Sequence, residues 1–532
     1  MNPEPKKEVR VRFAPSPTGP FSIGNARTAL FNWLYVRHNN GKFLLRIEDT
    51  DKERSREEYK EQILKSLKWL GIEWSEKIEY QSKRLDIYKR YLKKFLAEDK
   101  IFYCFCSEEE LEADRQAKLS QGLPPGYSGR CRNLSENEVK RRINKGDNWV
   151  LRFKMPNIEI EFQDLVRGKV SFKGELIGDF VIAKDFESPL YNFAVVVDDY
   201  DMKVTHVIRG EDHISNTPKQ IALQEALGFE KPKYAHLPLI LEPGGKKLSK
   251  RYLKKSFLDY QAEGYVPEAI INFITLLGWH PKKDREVITI EETIEEFTLS
   301  RVQKSGAVLN ENKLDWYNAY YIQNMPIKKL INYLKDFIPK DWIKDEAFLE
   351  KVVEVERERM RNLADFKNLA DFFFKLPEYQ VDLLIWKDKK EVSVESLKRV
   401  LKFLESLSEE EFVREKIEPF FLDLAEENGG KGEVFWPFRV ALSGKKASPG
   451  GLEILSVLGR EESLERIRKA IEKAESRYKQ LKLENMNPIE NNITKKVNQK
   501  QSDNLRLSKD NLFLTGRVPL ETIQGFKIWI IK

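Results

Sequence analysis

"FAPSPTGPFSIGNARTALFNWL", residues 13–34, begins as the end of an apolar strand, breaks into a loop of prolines and small residues, and turns into a helix. The alternation in "EVRVRFAP" before it and the apolar run "KFLLRIED" (42–49) after it complete a βαβ unit around a helix over 24–38. Such a turn places free backbone N–H groups and the positive end of a helix dipole at the carboxyl edge of a parallel sheet, which favours a phosphate. Gly19 and Gly24 let a ligand approach the backbone closely. An ordinary N-capped surface turn shares this local pattern, so the loop alone does not separate the two readings.

Further along, "EEYKEQILKSLKWLG" (57–71) has helical spacing and ends in Gly71, a C-terminal stop. Residues from about 90 to 190 hold all three cysteines and short strands such as "NWVLRFK" and "GDFVIAKD", and read as an insertion. The segment 191–212, "YNFAVVVDDYDMKVTHVIRGED", reads as strand-like alternation, and from about 256 onward helix follows helix. The polar, Asn/Lys-rich end reads as a disordered tail. The expected fold is an α/β part, a Rossmann-type parallel sheet with an inserted α/β subdomain, followed by an all-α C-terminal part.

With 532 residues, 41% hydrophobic and 33% charged, the chain can support several packed domains of a soluble protein. It lacks an apolar run near the ~18 residues of a membrane span, and its start lacks the apolar stretch of a secretory signal, which predicts a cytoplasmic protein without a membrane partner. Three cysteines cannot form a disulfide framework, which leaves metal binding or burial. The net charge of +7, from 92 basic and 85 acidic residues, allows a polyanionic partner without requiring one.

The opening loop is joined by a basic cluster, "GKKLSKR" (245–251), which alone would read as a solvated loop. Together, Ser22-Ile23-Gly24-Asn25 and Lys247-Leu248-Ser249-Lys250-Arg251 resemble the HIGH and KMSKS motifs of class I aminoacyl-tRNA synthetases. "RFAPSPTG", "ARTALFNWL", "LLRIEDTD", "VVVDDYDMKVTHVIRGEDHISNTPKQ", "YVPEAIINFITLLGW" and "NENKLDWYN" look like bacterial glutamyl-tRNA synthetases, in that family's order, from about residue 9 to about 478.

The resemblance implies a glutamate–tRNA ligase that forms glutamyl-adenylate from glutamate and ATP with Mg²⁺, then charges tRNA(Glu), with tRNA(Gln) as a further candidate substrate. ATP would lie over Pro15, Gly19, Ser22, Gly24, Asn25, Leu248, Ser249 and Lys250. Lys247 and Lys250 would stabilise the charge that builds on the phosphates. Glutamate needs guanidinium and polar groups for its carboxylates and an acid for its amine, and Arg12, Ala14, Ser16, Glu48, Tyr191 and Arg209 match the family's positions for them. For Tyr191, packing in the core is an equal reading, and Glu48 also reads as an ion-pair partner of Arg46 or Arg12. Ser22 stands where the family usually has histidine, and Tyr252-Leu253 where it often has His-Gly. A hydroxyl can still donate a hydrogen bond but cannot become cationic. A tRNA-binding paralogue without catalysis and a glutaminyl-tRNA ligase are the alternatives.

Cys104, Cys106 and Cys131 supply three zinc ligands, and resemblance to the Cys-x-Cys and Tyr-x₃-Cys site of some members makes Tyr127 the fourth, with Glu108 as a substitute. In "FWPFRVALSGKKASPGG" (435–451), Arg439, Lys445 and Lys446 are candidate tRNA contacts, while Phe435 and Trp436 suit base stacking and core packing equally. The implied domains are a catalytic domain in two halves (1–90 and 191–240), the insertion with the zinc site (91–190), a domain with the basic loop and stem contacts (241–325), a helical anticodon-binding domain (326–478) and the tail (479–532). A monomer is expected.

Overall fold

The structure is a computed structural model that describes residues 7–122, 126–246, 248 and 255–486. Its strands in chain order are β1 (Arg10–Phe13), β2 (Lys42–Ile47), β3 (Glu79–Tyr80), β4 (Ile101–Cys104), β5 (Val150–Phe153), β6 (Glu159–Asp164), β7 (Gly168–Lys173), β8 (Phe180–Ala183), β9 (His206–Gly210), β10 (Lys233–Leu237), β11 (Ile240–Leu241) and β12 (Ala307–Val308). The helix Ile23–His38 crosses from β1 to β2, which pair in parallel with Arg12 opposite Leu44. The return into β2 is tight at Gly41, where a Cβ would stand 2.2 Å from the Val9 carbonyl oxygen.

The main sheet runs β3-β2-β1-β9-β10-β6-β7. Every pairing in it is parallel except the β6–β7 hairpin at the edge. The order reverses between β1 and β9, and a doubly wound sheet opens a crevice at the carboxyl ends of the strands at that point. The insertion forms an antiparallel β4-β5-β8 sheet. Its β6–β7 hairpin is not confined to a separate subdomain, because β6 joins the main sheet through β10, with Asp164 opposite Tyr234.

The strand-like reading of 191–212 holds only for β9. Tyr191–Asp201 is a helix that buries Phe193–Val197, Asp198 and Asp199. It packs against the helix Leu85–Ala97, the helix Thr217–Leu227 and the β4-β5-β8 sheet. A helix wrapped on all sides has no polar stripe, so its sequence loses the 3.6-residue period and resembles a buried strand. Burial of each apolar side chain, about 1.5–3 kcal/mol, outweighs the few tenths by which valine disfavours a helix.

From Phe257 onward the chain is mainly helical. By their contacts the described residues up to Lys344, with Glu356–Asn368, form one compact unit, and Asp345–Val355 with the residues from Leu369 on form another. The final helical stretch, Gly451–Met486, is two helices joined at Gly459 (φ 76°). It continues helical past residue 479, where the sequence reading begins the tail; the rest of that tail lies outside the described residues. No helix among the described residues is long and apolar enough to cross a membrane.

Asp198 anchors the buried helix. It is fully buried and accepts hydrogen bonds from Gln81 Nε2 (2.8 Å), Arg84 Nε (2.8 Å) and the Tyr88 hydroxyl (2.8 Å to Oδ2). Removing one partner of a buried ion pair leaves its guanidinium uncompensated, so Asp198→Ala is expected to destabilise the first unit by about 3–5 kcal/mol. A thermal melt followed by circular dichroism checks this, with an unchanged midpoint as the contrary result.

Candidate active site

The loop after β1 is tied down through two proline carbonyls. The carbonyl of Pro15 takes the Glu48 N–H at the end of β2 (3.0 Å), and that of Pro17 takes the Arg56 N–H (2.9 Å). Each proline fixes φ and brings no N–H of its own to be satisfied. The helix then starts from Ser22, whose extended backbone (φ −85°, ψ 167°) suits an N-cap but whose hydroxyl makes no capping bond. The first-turn donors are left to solvent or a ligand. Gly24 and Asn25 line the adjoining cavity of about 530 Å³, along with Pro15, Ser16 and Leu248, whereas Gly19 and Ser22 stand outside its lining. A Cβ at Gly24 would touch only Ser22 Oγ, at 3.8 Å, so protein packing does not require glycine there. Lys247, Ser249 and Lys250 lie outside the described residues.

Beneath this rim the cavity is lined by buried charge. Arg12 gives Nε (3.0 Å) and Nη2 (3.4 Å) to the Asp199 carboxylate. Arg46, fully buried, gives Nη1 to Asp199 (2.7 Å) and Nη2 to Glu48 (3.1 Å). Burial works to raise the Asp199 carboxyl, but the guanidinium charges of Arg12 and Arg46 prevail and hold it below the ordinary value. For Glu48 burial prevails over the same two arginines, and its pKa is raised. Two arginines and two carboxylates thus balance, and Arg12 Nη1 has no protein partner among the described residues.

Arg209, at the end of β9 and 5% exposed, is held differently. Its Nε donates to His236 Nε2 (3.2 Å), Nη1 to the Tyr191 hydroxyl (3.4 Å) and Nη2 to Thr217 Oγ1 (2.8 Å). No carboxylate among the described residues lies within ion-pair distance of it. Tyr191 opens the buried helix, packs against the core on one side and lines the cavity on the other. Its hydroxyl is 3.2 Å from His213 Nδ1. Burial, helped by the charges of Arg209 and Arg12 and opposed by Asp212, lowers His213 to about 4, so it is neutral at pH 7. Burial also lowers His236, against the Asp164 hydrogen bond.

The site thus gathers Arg12, Ala14, Pro15, Ser16, Gly24, Asn25, Glu48, Tyr191, Arg209 and Leu248 around one cavity. Sequence reasoning missed Asp199, His213, His236 and Arg27, whereas the pairing of Glu48 with Arg46 that it allowed is present at 3.1 Å. The doublet Asp198-Asp199 inside an apolar run was the available signal, since buried carboxylates need cationic partners. Arg27 lines the cavity, hydrogen-bonded to the carbonyls of Pro238 and Leu277 (3.4 Å for the latter) and lowered to about 10 by burial.

In the insertion, the sulfurs of Cys104, Cys106 and Cys131 lie within 4.8 Å of one another, and Cys106 Sγ is 3.6 Å from Cys131 Sγ. Four ligands about 2.3 Å from zinc at tetrahedral angles stand about 3.8 Å apart, so the thiols fit zinc. The Tyr127 hydroxyl is 3.9 Å from Cys106 Sγ, in place for a fourth ligand, while it accepts the Cys131 N–H (2.7 Å). Glu108, at the start of the helix Glu108–Ser120, does not join the group.

In the second unit Arg439 gives Nη1 to Ser448 Oγ (2.7 Å) and Nη2 to the Lys446 carbonyl (2.9 Å), folding the loop after the helix Gly432–Ser443. Lys445 pairs with Asp371, while Lys446 is exposed. Trp436 donates to the Leu383 carbonyl (2.8 Å) and packs on Trp386, and Phe435 packs on Phe421, so both aromatics serve the unit's interior.

The family "tRNA synthetases class I (E and Q), catalytic domain" matches residues 8–316, and "Anticodon binding domain" matches 328–471. The chain is similar to "Glutamate--tRNA ligase 2" of Thermoanaerobacter pseudethanolicus, 45% identical across 87% of this chain and 98% of that protein. It is likewise 45% identical to "Glutamate--tRNA ligase" of Thermodesulfovibrio yellowstonii, across 87% and 99%. A solved glutamate tRNA ligase from Elizabethkingia meningosepticum, in complex with its amino acid, matches with a TM-score of 0.78 at 35% identity, covering 88% of this chain and 99% of that one. With a parallel sheet whose crevice joins a helix start to buried arginines, and an all-α second unit, the chain belongs to the class I aminoacyl-tRNA synthetases of the glutamate and glutamine branch.

Proposed function

We infer that the chain is a glutamate–tRNA ligase, and that the cavity between β1 and β9 is where it activates glutamate. One observation carries this reading: a buried guanidinium without a carboxylate partner, Arg209, shares a cavity with a buried carboxylate, Glu48, beside an uncapped helix start. The two carboxylates of an acidic amino acid suit Arg209 and the free Nη1 of Arg12, its ammonium suits Glu48, and a nucleotide phosphate suits the helix.

In this reading Arg209, Arg12 and Tyr191 receive the glutamate carboxylates, and Glu48, with Ala14 and Ser16, receives the ammonium. The α-carboxylate oxygen attacks the α-phosphorus of Mg·ATP, and the bond to pyrophosphate breaks. Gly24 and Asn25 at the helix start, with Lys247 and Lys250, stabilise the charge that accumulates on the phosphoryl oxygens. The terminal adenosine of tRNA then attacks the glutamyl carbonyl carbon and releases AMP. Cys104, Cys106, Cys131 and Tyr127 would hold a structural zinc that fixes the insertion against the acceptor end. The helical unit binds the anticodon; Lys446 is the candidate contact there, with Arg439 and Lys445 shaping its loop. The enzyme works as a cytoplasmic monomer on tRNA(Glu), and tRNA(Gln) is a further candidate.

The deciding experiment is charging of radiolabelled glutamate onto purified glutamate and glutamine tRNAs with ATP and Mg²⁺. Charged tRNA(Glu) is expected; tRNA binding without charging would make the chain a non-catalytic binder and mark Ser22 as the lesion.

Glu48→Gln is expected to raise the KM for glutamate roughly ten- to a hundredfold, the range of a lost charged hydrogen bond, and to leave that for ATP unchanged. Because burial raises the Glu48 pKa, acidification protonates it earlier than an ordinary glutamate, and the wild-type KM for glutamate should climb as pH falls through that range. A KM that varies with pH equally in Glu48→Gln would remove the amine-binding role. Metal analysis should find about one zinc per chain, falling on Cys131→Ala; a metal-free folded protein would leave the thiols as buried hydrophobes.

A further inference from the structure

Arg209 is held by a chain of buried groups that begins in the insertion. Asp164, the last residue of β6, is 1% exposed. Its Oδ1 accepts the backbone N–H groups of Val166 (2.9 Å) and Arg167 (2.8 Å), in the turn that leads to β7. Its Oδ2 lies 2.7 Å from Nδ1 of His236, which is fully buried on β10. A carboxylate there requires the proton on Nδ1, which leaves Nε2 as a lone pair. That lone pair faces the Arg209 Nε–H at 3.2 Å. Thr217 Oγ1 closes the arrangement, 3.1 Å from His236 Nε2 and 2.8 Å from Arg209 Nη2.

We propose that Asp164 and His236 are positioning residues for glutamate binding, a relay by which the hairpin of the insertion fixes the Arg209 guanidinium. The proposal rests on the reading of Arg209 as a carboxylate clamp. A direct carboxylate behind Arg209 would orient it but offset its charge, as Asp199, shared with Arg46, does in part for Arg12. A neutral imidazole orients it and leaves the charge for the substrate, while Asp164 fixes the tautomer from one residue further back. With the proton on Nε2 instead, two N–H groups would point at each other and the guanidinium would turn away. The insertion therefore contributes to amino-acid selection through β6, although none of its residues lines the cavity.

The test is the KM for glutamate and for ATP in tRNA charging by the full chain, for Arg209→Ala, Asp164→Asn, His236→Ala, His236→Gln and the double variant Arg209→Ala/His236→Ala. Asp164→Asn and His236→Ala are expected to raise the glutamate KM roughly tenfold, the scale of a hydrogen bond to a charged group, with the ATP KM unchanged. His236→Gln, whose amide oxygen can accept from Nε, should recover most of the loss. His236→Ala should add nothing once Arg209 is gone. The relay is overturned if folded Asp164→Asn and His236→Ala keep the wild-type glutamate KM, if His236→Gln fares no better than His236→Ala, or if the double variant is additive. An unchanged glutamate KM in Arg209→Ala itself would instead overturn the clamp and the relay with it.

Discussion

A guanidinium taken out of water must be met by charge or by hydrogen-bond acceptors, and Arg12, Arg46, Arg84 and Arg209, all buried in the catalytic unit, are met in contrasting ways. Three are met by one acidic doublet. Asp199 takes Arg12 and Arg46 on the sheet, and Asp198 takes Arg84 from the neighbouring segment. The doublet follows the buried apolar run Phe193–Val197 on the same helix, so the insertion, the helix Leu85–Ala97 and the parallel sheet share one core through it. Packing and the electrostatics of the cavity floor are therefore the same feature.

The rim follows a different constraint. An anion site made from backbone needs N–H groups that nothing else satisfies, and the loop before the helix supplies them by leaving little competition. Two prolines bring carbonyls but no donors, and those carbonyls tie the loop to β2 and to Arg56. Ser22 lets the helix begin without occupying its donors. A side chain at this position that did cap the first turn would have taken one of those donors from a ligand.

Much of this could be read from sequence because it is local. The βαβ unit, the helix ending at Gly71, the later helices and the cysteine cluster all depend on residues near each other in the chain. Arg12, Glu48 and Arg209 are named in the sequence because they match positions of the family the motifs resemble. What escaped is non-local. The helix Tyr191–Asp201 has no polar face to give its period away, and its identity comes from three elements that enclose it. Asp164 and His236 are 72 residues apart and meet only because the hairpin of the insertion joins the sheet beside β10. The partners of Arg439 and Lys445, Ser448 and Asp371, are likewise set by how the helical unit folds.

The difference between the two arginines also bears on which amino acid the cavity accepts. Arg12 is half neutralised before any ligand arrives, so it contributes geometry and a free Nη1 more than charge. Arg209 meets only neutral acceptors, and in a low dielectric that charge remains strong. Glutamate pairs it. Glutamine would enter at nearly the same size, but its amide offers no charge and one of its ends presents N–H groups to an N–H donor. A site that rejects an isostere by leaving its own buried group unpaired discriminates far better than one that relies on shape. In our reading, selectivity against glutamine thus comes from what was kept away from Arg209, a carboxylate, as much as from what was placed around it.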